Sequence, residues 1–282
     1  MRGVVRWVVG LRSVVSAILI ASGLSIAGLF VVRRLIPMAV LRASNDVVGN
    51  YLQTLGGIYA VLLAFVVYVV WGQFNEARAL VDREANEVLD LYRTVEALEP
   101  AERCAVREGL RAYVDAVLDG EWDAMACGRL EAGNPVGRIL DGVWDALQRF
   151  EPGTRREAAL FNEALKRFND LSDARSDRLT SAQSRIPGAL HLLLYGGAAL
   201  VVGSMWLFAL DNPWMHAFLT SAMAGAVSHV LYVIRDLDDA FTGDWRVDPE
   251  RLIKVRAYMR RHASGAAAAP TPDAATPTRD AG

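Results

Sequence analysis

The stretch RDLDDAFTGDWRVDPE, residues 235–250, gathers Asp236, Asp238, Asp239 and Asp244 just after a long apolar run. Carboxylates on a short connecting segment are hard oxygen ligands of the kind that hold calcium. Their spacing is not that of an EF-hand loop, so two readings stand: metal ligands, or a solvated cluster paired with Arg235 and Arg246. Upstream, the stretch NDLSDARSDRL carries Arg175 and Arg178 on one helical face, with Arg185 further on. These are either the basic flank of a membrane span or an anion-attracting vestibule. His216 and His229 lie thirteen residues apart in one apolar run. At about 100° per residue they fall on separate faces, which argues against a shared metal. His216 is expected near the outer interface and solvated; His229, deeper, is expected to face the protein interior as a packing residue.

Those groups need long helices to place them. The chain has 282 residues, 53% hydrophobic and 22% charged, with a net charge of −2 and mean hydropathy +0.21. Such apolarity with so many charges fits a chain in which the two are segregated. Four apolar runs, 13–32, 52–71, 187–209 and 214–234, lack Asp, Glu, Lys and Arg and reach the length of about 20 residues that a bilayer requires. Tyr51, Trp71, Trp206, Trp214 and Tyr232 sit near their ends, as interfacial aromatics do. The first run follows Arg2, Arg6 and Arg12 but is too long for a cleaved signal and precedes Arg33 and Arg34, so it reads as a retained span. Arginines flank the termini and the segment between spans two and three; the opposite side has Arg33, Arg34 and Arg42 and a short turn at 211–213. The positive-inside rule places both termini and that segment in the cytoplasm, and the whole chain in the cell's inner membrane.

The second span changes solvent partway along. In its apolar half, Gly56, Ala60 and Ala64 recur every four residues, a stripe that lets helices approach closely in lipid. Roughly opposite, Asn50, Thr54, Ile58, Val61 and Phe65 form a second stripe. It reads as a pore lining or as a face toward lipid or a neighbour, with Asn50 and Thr54 favouring the pore. Beyond Trp71, Phe74, Val81, Val88 and Val95 recur every seven residues, with Ala77, Leu91 and Leu98 as companions and Glu84 the polar member. One apolar stripe now needs only a partner helix, so residues 72–186 read as a helical bundle or a strut carrying motion to the membrane. Pro100 opens a second helix with Val106, Leu110, Tyr113, Val117 and Trp122 on one face. A loop is expected at 128–135, then a stripe of Val136, Ile139, Leu140, Val143, Trp144, Leu147 and Phe150. Thr154 with Glu157 predicts a capping box, with Leu160, Phe161, Leu165, Phe168 and Leu171 inside the helix it opens. Cys104 and Cys127 fall on one predicted helix about 30 Å apart, so they are expected as reduced packing thiols.

The domain organisation is therefore a membrane region over 1–71, a cytosolic insert over 72–186 and a membrane hairpin over 187–234. A cytosolic segment over 235–262 follows, with an amphipathic helix opened by Asp248-Pro249 that lies on the membrane or against the bundle. A disordered Ala/Pro/Thr tail over 263–282 ends the chain. The fold class is an all-α membrane protein. No zinc-type spacing, phosphate loop or nucleophile elbow appears, no cofactor is required, and the charge balance gives no field for nucleic acid.

Several stretches resemble the bestrophin-like family also known as domain of unknown function 4239: NDVVG at 45–49, GIYAVLLAFV at 57–66, WGQF at 71–74, LYR at 91–93, LSDAR at 171–175 and FTGDWRVDPE at 241–250. The family consists mostly of bacterial membrane proteins. Its more distant relatives, the bestrophins, are pentameric anion channels with four spans and a helical cytosolic insert. The resemblance implies a homo-oligomer, a pentamer if bestrophin-like, in membrane lipid, passing inorganic anions. Gly57-Ile58-Tyr59 resembles the Gly-Phe-Tyr stretch of the bestrophin neck, and Phe241-Thr242-Gly243-Asp244 resembles the acidic calcium clasp. The rival readings are a non-conducting scaffold or sensor whose insert binds a partner, and, last, a membrane-embedded enzyme using His229 and the carboxylates after the fourth span.

Overall fold

The computed structural model of the protein describes residues 2–129 and 135–266, with side chains over 12–96, 98–129 and 135–262. The expected tail beyond Ala266, the centre of the 128–135 loop and the side chains of Arg2 and Arg6 lie outside the described residues. The helices are α1 (Arg2–Leu35), α2 (Met38–Ala43), α3 (Asn45–Thr94), α4 (Pro100–Ala116), α5 (Trp122–Ala126), α6 (Pro135–Gln148), α7 (Arg155–Gln183), α8 (Gly188–Trp206), α9 (Pro213–Asp238) and α10 (Glu250–Ala266). No strand occurs among the described residues. A π-helical stretch, Val117–Glu121, joins α4 to α5, so Cys104 and Cys127 do not share one regular helix. Segments within Arg12–Leu35, Asn45–Thr94, Arg155–Trp206 and Pro213–Asp238 are long and apolar enough to cross a membrane. The third of these ranges is divided into α7 and α8 by a break at 184–187.

The chain forms two compact units. The first comprises Met1–Leu80, Met125–Gly128 and Ser176–Asp248. Here α1 lies along α9, held by small and hydroxyl side chains: the Ser22 hydroxyl donates to the Ser221 carbonyl at 3.1 Å and the Ser228 hydroxyl to the Ala17 carbonyl at 3.3 Å. A Cβ on Gly225 would lie 3.2 Å from Ile18, so α9 needs its glycine for α1 to come this close. On α3, Val66 and Val70 are buried with Ile186, Leu194, Ile234 and Leu237, and Tyr59 with Val201 and Val227.

One end of this unit shows why arginines stand on the sparsely basic side. Arg33 donates to the Leu210 carbonyl and Arg42 pairs with Asp211. Asn45 grips Ala209 from both sides, accepting from its N–H at 2.8 Å and donating to its carbonyl at 3.2 Å. Asn212 then caps α9, its Oδ1 accepting from the N–H groups of Trp214 (2.9 Å) and Met215 (3.2 Å). The turn between α8 and α9 is thus tied to the ends of α1 and α2 and the start of α3 by side chains that partner its backbone and Asp211.

The second unit comprises Val81–Ala124, Arg129–Arg175 and Pro249–Gly282. The seven-residue row that begins on α3 and runs just past its end is buried as its period requires, with Val81, Val88, Leu91, Val95 and Leu98 inside. Glu84 is buried too and accepts from the Tyr113 hydroxyl on α4. Helices α4 and α6 meet where Gly109 admits Val143, whose Cγ2 would lie 2.5 Å from a Cβ at that position. The capping box forms as read: the Glu157 N–H donates to the Thr154 Oγ1 and the Thr154 N–H to the Glu157 carboxylate, both at 3.2 Å. Between α3 and α7, Glu163 and Glu87 hold the Arg167 guanidinium and raise its pKa further. Helix α10 buries Leu252, Val255 and Met259 and lies against α4, where Arg256 and Arg260 pair with Asp115 at 3.6 and 2.9 Å. Of the two expected placements, this one is against the bundle.

Cys104 and Cys127 are free and exposed, which corrects the expectation that they pack. Cys104 stands off the buried Val106, Leu110 and Tyr113 row, and Cys127 lies beyond the last residue of α5.

Candidate functional site

The rotation of α3 about its axis is set by Tyr59. Its hydroxyl donates to the Leu194 carbonyl at 2.8 Å, and its ring fills the space left by Gly197, where a Cβ would lie 2.6 Å from it. With Tyr59, Val66 and Val70 turned inward, the opposite side faces out. Ile58, Val61 and Phe65 are 67, 72 and 61% exposed, and Asn50 and Thr54 are exposed above them. The Thr54 hydroxyl donates to the Asn50 carbonyl at 3.0 Å, which keeps its donor satisfied within the helix. Ala60 and Ala64 are exposed as well, and a Cβ on Gly56 would meet nothing within 4 Å. The small stripe therefore packs on no helix among the described residues. Close approach inside the chain occurs at Gly197 against Tyr59 and at Gly28 against Trp206, two positions the four-residue spacing does not reveal.

At the other end of the unit the acidic residues are engaged locally. Asp236 accepts from the N–H groups of Asp244 (3.0 Å) and Trp245 (2.8 Å), closing a turn at Gly243, whose φ of +74° suits glycine. Asp244 accepts from the Tyr232 hydroxyl at 2.6 Å. Asp239 pairs with Arg185 at 2.7 Å. Among the described residues no group of three His, Cys, Asp or Glu side chains is placed to hold a metal ion. The turn that sequence reading offered as a cation site is organised by its own backbone donors. Asp238, the fourth member of that acidic cluster, accepts from the Ile186 N–H at 2.8 Å and fixes the break between α7 and α8.

The three arginines are also partnered. Arg178 is fully buried and contacts the Met125 sulfur at 3.1 Å; Arg185, besides Asp239, donates to the carbonyls of Ala182 and Ser184. In the second unit Arg175 pairs with the buried carboxylate of Glu121 at 2.5 Å. Arg178 is thus buried, Arg175 half-buried and Arg185 exposed, and guanidiniums engaged in this way hold helices together and present less free charge to a passing anion.

The histidines exchange their expected places. His216 is fully buried, with Nε2 2.8 Å from the Met205 carbonyl, so it links α9 to α8 and is not solvated. His229 is exposed and turned away from this unit's core. Depth along the span sets neither environment; the rotation of α9 against α1 and α8 does.

The Bestrophin-like domain matches residues 19–252. No curated protein matches the chain. Among solved structures, a point mutant of a bacterial bestrophin homologue from Klebsiella pneumoniae aligns with a TM-score of 0.68 at 16% identity, over 86% of this chain and 99% of the other. The same organism's homologue phased on zinc gives 0.66 at 17% identity, over 88% and 98%. A mutant structure described as a membrane protein gives 0.62 at 17% identity, over 88% and 98%. At these identities the likeness establishes the fold, and the domain match establishes the family. This multi-pass membrane protein belongs to the bestrophin-like family.

Proposed function

We propose that the protein is a homo-oligomeric channel for inorganic anions, with α3 of each copy facing a central axis. The observation that carries the reading is the outward stripe on α3. Thr54 stands exposed within the charge-free run and Asn50 just before it, a placement lipid disfavours and a water-filled pathway suits. Below them Ile58, Val61 and Phe65 supply apolar rings of the kind that gate by dewetting. A single copy has too few spans to frame such a path, so Gly56, Ala60 and Ala64, unused within the chain, are assigned to contacts between copies.

In this reading residues 72–186 and both termini are cytoplasmic and the membrane is the inner one, on the strength of the arginine distribution. The oligomer is a pentamer by analogy with bestrophins. With Arg175, Arg178 and Arg185 paired internally, anion preference would arise from the α3 rings and backbone dipoles rather than from an arginine vestibule. The test is chloride efflux from liposomes holding purified oligomer: flux above that of empty liposomes supports the channel. A verified oligomer without flux favours the non-conducting scaffold.

A further inference from the structure

Helices α1, α8 and α9 leave a groove of about 490 Å³ between them, within the first unit and along the membrane-spanning segments. Each of the three helices sets alanine in its walls, Ala17 and Ala21 on α1, Ala198 and Ala199 on α8, and Ala224 on α9, among larger apolar and aromatic side chains. Larger side chains there would let the helices fill their own interface. At one end stands Arg235, at the close of the apolar part of α9. Arg235 is exposed and makes no hydrogen bond or ion pair among the described residues, whereas its carboxylate neighbours have partners already. Asp236 is held by two backbone N–H groups and Asp239 by Arg185. At the far end the Trp206 ring closes over Gly28.

We propose that this groove binds one acyl chain of an anionic glycerophospholipid, whose phosphate pairs with Arg235. The length fits: Ala224 and Arg235 are eleven residues apart on α9, about 16 Å, which is close to one leaflet, half of a hydrocarbon core of about 30 Å. The chemistry fits as well, with an apolar trough ending at an unpaired cation where headgroups begin. The site belongs to the leaflet on the Arg235 side and is separate from the α3 stripe. It stands or falls independently of conduction.

The test is titration of the detergent-purified protein with phosphatidylglycerol, counting bound lipid by native mass spectrometry. The wild type is expected to keep lipid through detergent washing. Arg235→Gln is expected to weaken retention about tenfold, the loss of one charge-assisted contact. Ala199→Phe, which sends a ring into the groove from an exposed position, is expected to abolish it while leaving the elution profile unchanged. Inorganic phosphate at millimolar concentration is expected not to displace the lipid; displacement would mark a free-anion site and overturn the proposal. Absence of lipid from the wild type, or equal retention by all three proteins, would also overturn it. So would an Ala199→Phe protein that changes oligomer mass yet keeps its lipid, since a second copy would then occupy the groove.

Discussion

Glu84 is the one carboxylate in the buried row of α3, and the Tyr113 hydroxyl answers it. A buried carboxylate that loses a donor keeps its desolvation cost, so Tyr113→Phe should destabilise the second unit by about 1–3 kcal/mol, read as a lower thermal midpoint. Glycines offer a paired test. A Cβ at Gly197 would meet the Tyr59 ring at 2.6 Å, whereas at Gly196 it would meet nothing within 4 Å. Gly197→Ala should cost about 1–3 kcal/mol as overpacking does, and Gly196→Ala should be near neutral in the same thermal melt. Equal effects would mean that Tyr59 does not set the rotation of α3. At this scale the sequence was legible where a residue's role is local: Thr154 and Glu157 announce their capping box by spacing alone. It was silent where a role depends on which way a helix turns. His216 and His229 look alike in the sequence, and only the packing of α9 distinguishes the buried one from the exposed one. The same holds for Asp238 and Asn45, whose partners lie more than fifty residues away in the chain.

At the scale of elements, every apolar period in the sequence became a helix, because period and length are properties of the segment itself. The heptad on α3 also gave its buried face, since a soluble stripe has one way to hide from water. A membrane helix lacks that constraint: lipid accepts apolar residues on any side, so the stripes of span two did not reveal which side meets its own chain. Neither stripe does; the buried side is Tyr59, Val66 and Val70. This has a testable consequence for Ala60, which is exposed in the single chain. Ala60→Leu should leave the fold of the protomer intact, by circular dichroism, while shifting the oligomer to a smaller mass by light scattering. An unchanged oligomer would assign the stripe to lipid. The break at 184–187 and the π-helical stretch at 117–121 had no sequence signal beyond Pro187, and at the break a side chain from elsewhere, Asp238, holds the backbone.

For the whole molecule, sidedness and conduction each carry a direct test. Cys104 and Cys127 are exposed thiols already in place, one near each end of the α4 to α5 segment. With the insert cytoplasmic, a membrane-impermeant maleimide should leave both unlabelled in intact cells and label them after permeabilisation. Labelling from outside would invert the topology. The central claim is that α3 lines an ion path, and it is tested most directly by chloride efflux per oligomer from liposomes holding the wild type, Ile58→Ala or Phe65→Ala. Both side chains are exposed in the protomer, so trimming them should spare its fold. Smaller apolar rings hold water more readily, so the wild type should show measurable flux and both variants higher flux. Efflux no greater than that of empty liposomes from all three, in oligomers of verified mass, would contradict it.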